Sequence, residues 1–463
     1  MTIHTNKGQQ QGFPGKMDPV KVTVIGAGSG FTPHLIGDLL KVPGSDRGEI
    51  ALVDIDRNRL GMMHRIIEQM AAAAGKPGWK VVSSPDRRKV LRGTDYLIST
   101  IEVSGLKCVR WDNDIPLKYG VDQCIGDTIG PGGLFKGLRT IPVWLDILSD
   151  AERLCPKALV LNYTNPMTML CLAAARSSPM KVVGLCHSVQ WTAHALAWRA
   201  GVPLKELEYE CAGINHLAWF TRLRYRGKNL YPRLMRMAHH DLEVRPNPKD
   251  PWDRVRKDVM LHFGAFVTES SGHLSEYLPY YRKNAAAMKK YCGPAYEGES
   301  RYYAKHWPGW RRKADQEREL ILKGKKEQPK ERTFEFASWI IEAIEKGRQF
   351  YFNGNVPNRQ KDGSLLIDNL MADGLVEVKC RADRRGLNPI HYGRLPAQMA
   401  ALCESNLRMF DLAADAAINK SIETAIHALT VDPLTAAVCT PAQIKKMTLE
   451  MFKAEKAFLK GYR

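Results

Sequence analysis

Residues Val22-Thr23-Val24-Ile25 form a β-branched run, and Gly26-Ala27-Gly28-Ser29-Gly30-Phe31 follows without a gap. The next stretch, Thr32 to Leu40, carries apolar residues at Leu35, Ile36, Leu39 and Leu40. A short apolar run reads as a buried parallel strand, and the spacing after it reads as a helix. Strand, glycine-rich turn and helix together let the backbone approach a pyrophosphate, which sits at the helix N-terminus. Phe31 stands where the usual fingerprint has its third glycine. The following strand candidate, Ile50-Ala51-Leu52-Val53, ends at Asp54. An acid there accepts hydrogen bonds from the ribose hydroxyls of NAD and repels the 2′-phosphate of NADP. A surface Asp at a strand end is common, but strand, turn, helix and acid in succession favour nucleotide binding. Gly26, Gly28, Ser29, Phe31 and Asp54 are therefore the candidate NAD-binding residues.

Further strands are predicted at Lys80–Ser83, Asp95–Ile101, Ala158–Leu161 and Lys181–Leu185, with a helix over Leu138–Cys155. Their alternation predicts an α/β fold: an N-terminal Rossmann-like parallel sheet over residues 19–190, behind a disordered tail at 1–18. Ligands in such sheets gather at the carboxyl ends of the strands. That rule puts the cofactor, Asn165, Cys186 and His187 on one rim. Gly126 to Gly133 wraps four glycines and a proline around Asp127 as a tight loop. Residues 191–463 are less regular and predict an interlocked α+β domain for substrate, metal and oligomer contacts. It has a strand pair around His216, an irregular aromatic loop at Tyr302, Tyr303 and Trp307, and a helix over Glu335–Ile344. Short strands are expected at Leu366–Leu370 and Leu375–Val378, with long helices over Leu395–Leu412 and Ala413–Leu429.

The thiol of Cys186 and the imidazole of His216 are good transition-metal ligands. Two ligands at long spacing could equally be a packed cysteine and a core histidine. Ten scattered cysteines and no apolar leader before Met17 predict free thiols in a reducing cytoplasm. No run of about 18 apolar residues predicts a membrane span. The net charge of +19 is spread along the chain, densest at Arg311-Arg312-Lys313 and Lys323 to Lys330, with no nucleic-acid motif. It points to anionic small substrates more than to nucleic acid.

Taken in order, several stretches resemble glycoside hydrolase family 4. They are Gly26–Ser29, Asp127–Gly133, Asn162–Met167, Cys186–Gln190, Cys211–His216, Val267–Ser271 and Gly354-Asn355-Val356. The resemblance covers most of residues 20 to 430 and is greatest to the bacterial α-galactosidase (melibiase) branch. It implies an NAD-dependent glycosidase with a divalent metal, usually manganese, forming homodimers or homotetramers. By this resemblance Cys186 and His216 match the metal ligands, Asn165 the substrate-binding Asn and Tyr277 the catalytic base. His187 holds a position that carries the leaving-group acid in related branches, and Asp127 is the other candidate acid. Relatives have a more Gly-rich turn where this chain has Glu102-Val103-Ser104-Gly105. Arg282 to Lys330 matches poorly, so the substrate-facing arginine is unplaced.

Most glycosidases use two carboxylates; the NAD-dependent family 4 is an exception. The implied route takes a hydride from C3 of the sugar to NAD, which acidifies the C2 proton. Tyr277 removes that proton if positive charge nearby lowers its phenol from about 10. The aglycone leaves C1 with help from His187 or Asp127, water adds, and the hydride returns, so NAD is not consumed. A soft thiolate favours zinc over manganese, whereas sugar and water oxygens suit a harder ion, so other divalent metals stay open. Rival readings are the same mechanism on an anionic α-glycoside (glucuronide, galacturonide or sulfoquinovoside) and a plain NAD-dependent dehydrogenase.

Overall fold

The computed structural model describes residues 12–244, 252–326 and 331–463. Thirteen strands make one mixed sheet: β1 (Val20–Ile25), β2 (Arg47–Val53), β3 (Gly78–Ser83), β4 (Tyr96–Ser99), β5 (Leu159–Asn162), β6 (Lys181–Gly184), β7 (Leu207–Ile214), β8 (Leu217–Tyr225), β9 (Lys228–Asn229), β10 (Phe266–Val267), β11 (Phe350–Pro357), β12 (Leu375–Asp383) and β13 (Gly386–Pro389). The first six lie parallel in the order β3-β2-β1-β4-β5-β6, the Rossmann order. The sheet continues past β6 as β11, β12, β7, β8 and β10, all antiparallel. Strands β4 and β5 are buried nearly end to end, as expected for parallel strands covered by helices on both faces.

Local chemistry explains the helix starts near the site. Pro33 and Pro131 occupy first-turn positions, where a missing N–H costs nothing. Asp56 caps the helix Arg57–Ala73 by accepting from Asn58 N and Arg59 N, both 3.1 Å. The glycine loop leads straight into the helix Gly130–Leu154, eight residues before the predicted start. Its close packing needs glycine: a Cβ on Gly132 would sit 2.3 Å from Gly126 O, and one on Gly133 2.5 Å from the Thr128 carbonyl carbon.

The second half differs from expectation in several places. Tyr302–Leu322 is a long helix, not an irregular loop. Its aromatic residues stack at helical spacing (Tyr303 on Trp307, His306 on Trp310), so it carries no apolar stripe to read. Residues 366–370 form a turn with isolated bridges, because the Asn358 side chain takes up the N–H groups of Leu366 and Ile367 and the carbonyls of Ile367 and Leu370. The helix break expected near Ala413 falls at Lys420, which adopts φ +52° between Ala397–Asn419 and Ile422–Thr430. The strand β11 was not anticipated. Residues 12–18 of the expected tail are held: Phe13 N donates to Glu342 Oε1 (2.7 Å), Met17 N to Gly44 O (3.0 Å), and Met17 is buried. Residues 1–11 lie outside the described residues, as do the last four of the basic stretch Lys323 to Lys330. Among the described residues no helix is long and apolar enough to cross a membrane. All ten cysteines are free.

Candidate active site

Three chain segments converge at the carboxyl rim of β6. Cys186 follows β6 by two residues. His216 is in the two-residue turn between β7 and β8, with φ +63°. Glu269 follows β10 with φ +74°. Non-glycine residues held in the left-handed region cost about 1–3 kcal/mol each and gather at functional sites. His216 Nε2 lies 3.3 Å from Cys186 Sγ and 3.5 Å from Glu269 Oε2, and the three candidate ligand atoms all lie within 4.8 Å of one another. Burial, reinforced by Glu377 and Glu269, pushes the Cys186 thiol well above its ordinary value. Burial also opposes ionisation of Glu269, but the His216 and His273 imidazoles outweigh it and hold the carboxyl far below its usual range. A sulfur, a nitrogen and a carboxylate this close suit a transition-metal ion. The sequence reading had two of the three. Glu269 lay inside the quoted Val267–Ser271 stretch without a role, because only folding brings it to His216.

Opposite these ligands stands the loop carrying Asp127 and Thr128. Glu276 fixes it by accepting from the N–H groups of Cys124 (2.7 Å), Ile125 (2.6 Å) and Gly126 (3.0 Å). Asp127 Oδ2 is 3.4 Å from Lys136 Nζ and 3.5 Å from Asn165 Nδ2. Its Oδ1 lies 3.7 Å from His273 Nε2. Lys136 also pairs with Glu102 (3.1 Å), so the turn Glu102-Val103-Ser104-Gly105 supplies a carboxylate to this cluster. Against the cost of burial, Lys136 and His273 keep Asp127 below its ordinary value. Tyr277 is buried; its hydroxyl donates to Thr128 Oγ1 (3.0 Å) and lies 3.5 Å from His216 Nδ1. Thr128 Oγ1 is in turn 2.6 Å from His273 Nε2, and His273 Nδ1 is 3.5 Å from Glu269 Oε1. Burial, with the charges of Asp127, Glu269 and Glu276, pushes the Tyr277 phenol well up despite the Thr128 bond. Glu102 Oε1, Asp127 Oδ1 and Asn165 Oδ1 are buried and accept no hydrogen bond from the protein. Buried acceptors are normally paired, so these three fit a ligand rich in hydroxyl groups.

The structure thus brings Tyr277, Asp127, Asn165, Cys186 and His216 together. It places His187 toward the nucleotide turn, stacked on Phe31 (6.1 Å between ring centroids) with Nδ1 3.7 Å from Glu335. Burial lowers the His187 value, favouring the neutral ring. Arg282 is buried against Asp122 and the Gly298 carbonyl (3.0 Å), so it serves the fold and does not face the cleft.

The glycine turn fits a dinucleotide. Gly26 has φ +84°, and a Cβ there would sit 2.6 Å from Thr100 O. Gly28 N donates to Asp54 Oδ2 (2.7 Å) and Asp56 N to Asp54 Oδ1 (2.8 Å), which orients the carboxylate at the tip of β2. Ser29 Oγ accepts from Phe31 N (3.2 Å). Phe31 gives the helix Thr32–Leu40 no side-chain cap; its first N–H groups turn back on the loop instead, Thr32 N donating to Ser29 O (3.2 Å) and His34 N to Phe31 O (3.1 Å). The helix Tyr302–Leu322 closes over this turn: Arg318 Nη2 donates to Gly28 O (2.5 Å), and Arg59 pairs with Asp315 (2.9 Å).

The family 4 glycosyl hydrolase model matches residues 21–201, and the model of that family's C-terminal domain matches residues 211–435. The chain belongs to the family 4 glycosyl hydrolases. This family 4 enzyme is 38% identical to an α-galactosidase of Rhizobium meliloti over 96% of the chain and 90% of that protein. It is 36% identical to an α-galactosidase of Bacillus subtilis over 96% of the chain and the whole of that protein. Among solved structures, a 6-phospho-α-glucosidase from gut microorganisms, in complex with NAD and Mn2+, superposes with a TM-score of 0.77 at 21% identity, covering 95% of this chain and 99% of that one. The expected α/β fold with a Rossmann-like N-terminal half is present, and the chain is a glycoside hydrolase.

Proposed function

We propose that the chain is an α-galactosidase that cleaves O-glycosidic bonds by transient oxidation at C3, proton removal at C2 and elimination at C1. The observation that carries this reading is the Cys186, His216 and Glu269 cluster beside Tyr277, on the rim that also carries the Gly26–Asp54 dinucleotide turn. When bound, NAD supplies the hydride acceptor and a divalent ion, manganese by analogy with relatives, supplies positive charge beside Tyr277 and the sugar oxygens. Cys186, His216 and Glu269 would hold the ion, and Gly26, Gly28, Ser29, Phe31 and Asp54 the dinucleotide. Tyr277 takes the C2 proton, and its link through Thr128 to His273 offers that proton a path away. Asp127 and Asn165, with unfilled oxygens, orient sugar hydroxyls. For Asp127 or His187 to assist the leaving group, either must first take up a proton, since Lys136 and His273 keep Asp127 ionised and burial keeps His187 neutral. The burial of Tyr277 and His273 keeps bulk water from the proton transfer.

The reading includes a homodimer or homotetramer and a reducing, cytoplasmic location. Exposed Trp191, Trp198 and Met237 line one face suited to a subunit contact, and ten free thiols suit a reducing compartment. Light scattering on the purified chain reports the subunit number.

The test is a panel of nitrophenyl α-glycosides (galactoside, glucoside, glucuronide, sulfoquinovoside) with NAD, Mn2+ and reductant, then with each omitted. Release from the galactoside that needs NAD and metal, with no accumulation of NADH, is expected. Preferential release from an anionic glycoside would move the substrate class and keep the mechanism. Net NADH without nitrophenol would establish a dehydrogenase and end the glycosidase reading.

A further inference from the structure

Four residues stand in one row across the middle of the sheet: Gly184 on β6, Asn355 on β11, Glu377 on β12 and Gly213 on β7. Strands β11 and β12 share a long ladder from Phe350↔Ala382 to Pro357↔Leu375. The junctions on either side are minimal. Among the described residues, Asn355↔Gly184 is the single registered pair joining β11 to β6, and Glu377↔Gly213 the single pair joining β12 to β7. The parallel and antiparallel parts of the sheet therefore meet at this row. Cys186 lies two residues beyond Gly184, and His216 three beyond Gly213.

The row is also chemically odd. Asn355 and Glu377 are fully buried, while Val356, Val376 and Val378 beside them are apolar. The flanking glycines leave no room for a side chain: a Cβ on Gly184 would sit 2.9 Å from Asn355 Cβ, and one on Gly213 2.5 Å from Leu217 O. Asn355 Nδ2 donates to Gly184 O and to Glu377 Oε1, both 3.3 Å. Asn355 Oδ1 and Glu377 Oε2 have no protein partner. Two polar groups in a buried row cost stability that an apolar pair would not. Glu377 also lies within electrostatic reach of Cys186 and His216.

We infer that Asn355 and Glu377 are positioning residues that tie β6 to β12 through their side chains and so fix the separation of Cys186 from His216. The inference rests on the metal reading of that pair. Groups hydrogen-bonded directly to metal ligands change affinity about ten- to a hundred-fold when removed. Asn355 and Glu377 act on Cys186 and His216 through the strands that lead to them, which makes that range the ceiling for their effect.

The test is a Mn2+ titration of the metal-stripped full chain under reductant, following free Mn2+ by electron paramagnetic resonance. Wild type, Cys186→Ser, Glu377→Leu, Glu377→Gln and Asn355→Leu are compared, with NAD affinity and melting temperature measured alongside. Glu377→Leu and Asn355→Leu are expected to weaken Mn2+ binding about tenfold, the lower end of that range, with NAD affinity unchanged, and Glu377→Gln, which keeps the Oε1 acceptor, to stay within about threefold of wild type. Wild-type Mn2+ affinity in both leucine variants would overturn the inference. If Glu377→Leu does not fold, Asn355→Leu decides alone. A wild type that binds Mn2+ no better than Cys186→Ser would instead remove the metal reading, and the inference with it.

Discussion

Replacing Glu276 by glutamine tests whether one side chain of the second half holds the Asp127 loop in place. Both carboxylate oxygens are used: Oε1 accepts from Cys124 N and Ile125 N, and Oε2 from Gly126 N. A glutamine oxygen can keep the first two bonds as neutral ones. Its NH2 group then faces the Gly126 N–H, donor against donor. Losing one charge-assisted bond (about 1.5–3 kcal/mol) and weakening two others by roughly 1 kcal/mol each totals about 3–5 kcal/mol. Burial raises the Glu276 value even against His273, Arg282 and the N–H groups, so desolvation of the carboxylate offsets the charge assistance, a cost that neutral glutamine does not carry. What remains is a buried Gly126 N–H left facing a donor, about 1–3 kcal/mol. Asp127 and Thr128 follow Gly126 directly, so a shift of the loop moves both, and a displacement near 1 Å costs about a hundredfold in rate. The assay pairs thermal melting with kcat/KM on nitrophenyl α-galactoside. The expected result is a melting temperature lower by several degrees, a hundredfold loss of kcat/KM and NAD affinity close to wild type. Wild-type melting and activity together would show that Glu276 is protonated or idle and that the loop holds itself.

Tyr277→Phe keeps the packing and removes the proposed base, so kcat should fall about 10²- to 10⁴-fold with NAD affinity intact; full activity would remove the base assignment. Gly28→Ala puts a Cβ 2.7 Å from Asp54 Oδ2 and should weaken NAD binding tenfold or more by isothermal titration, which an unchanged dissociation constant would contradict. Asp432 caps Pro433–Val438 from a fully buried position, and burial pushes its carboxyl up to about 6 from an ordinary 3.8. The folded state therefore holds this proton more tightly than the unfolded chain. Its contribution is complete below about pH 4 and lost as pH rises through about 6, at a cost of about 2–3 kcal/mol. Asp432→Asn should remove that slope and melt higher than wild type at pH 7.5; parallel melting-against-pH curves for the two proteins would refute the assignment.

The parts of the site that were legible in the sequence are those made by neighbours along the chain. The strand, turn, helix and acid of residues 22–54 form one local unit, and its context carries its meaning. Cys186 was legible as a candidate because it directly follows the strand predicted at Lys181–Leu185. Glu269 was not, because its place beside Cys186 and His216 depends on a left-handed backbone and on His216 arriving from another hairpin. Thr128, His273 and Glu276 were hidden for the same reason: each acts through a partner between 145 and 152 residues away in the chain. The Tyr302–Leu322 helix escaped because aromatic stacking, not an apolar stripe, orders its surface.

A dinucleotide turn alone would serve a dehydrogenase equally well, so the antiparallel half of the sheet decides between the two chemistries. The parallel half delivers Gly26, Asp54, Asn165 and Cys186 to its rim and can go no further, because its strands end there. His216 and Glu269 come from strands added beyond β6, and Tyr277 lies just past them in the chain. Simple hydride transfer from an alcohol needs one base near the hydroxyl. Here two buried carboxyls and a half-buried one, two imidazoles, a thiol and a phenol cluster together: Asp127 and Glu276, Glu269, His216 and His273, Cys186 and Tyr277. So many ionisable groups taken out of water are costly to a fold unless charge brought by ligands compensates them. A carbon acid beside a transient ketone is a substrate that requires such an environment: a strong, dry base facing concentrated positive charge. The cost built into this site therefore favours proton abstraction from carbon over hydride transfer alone.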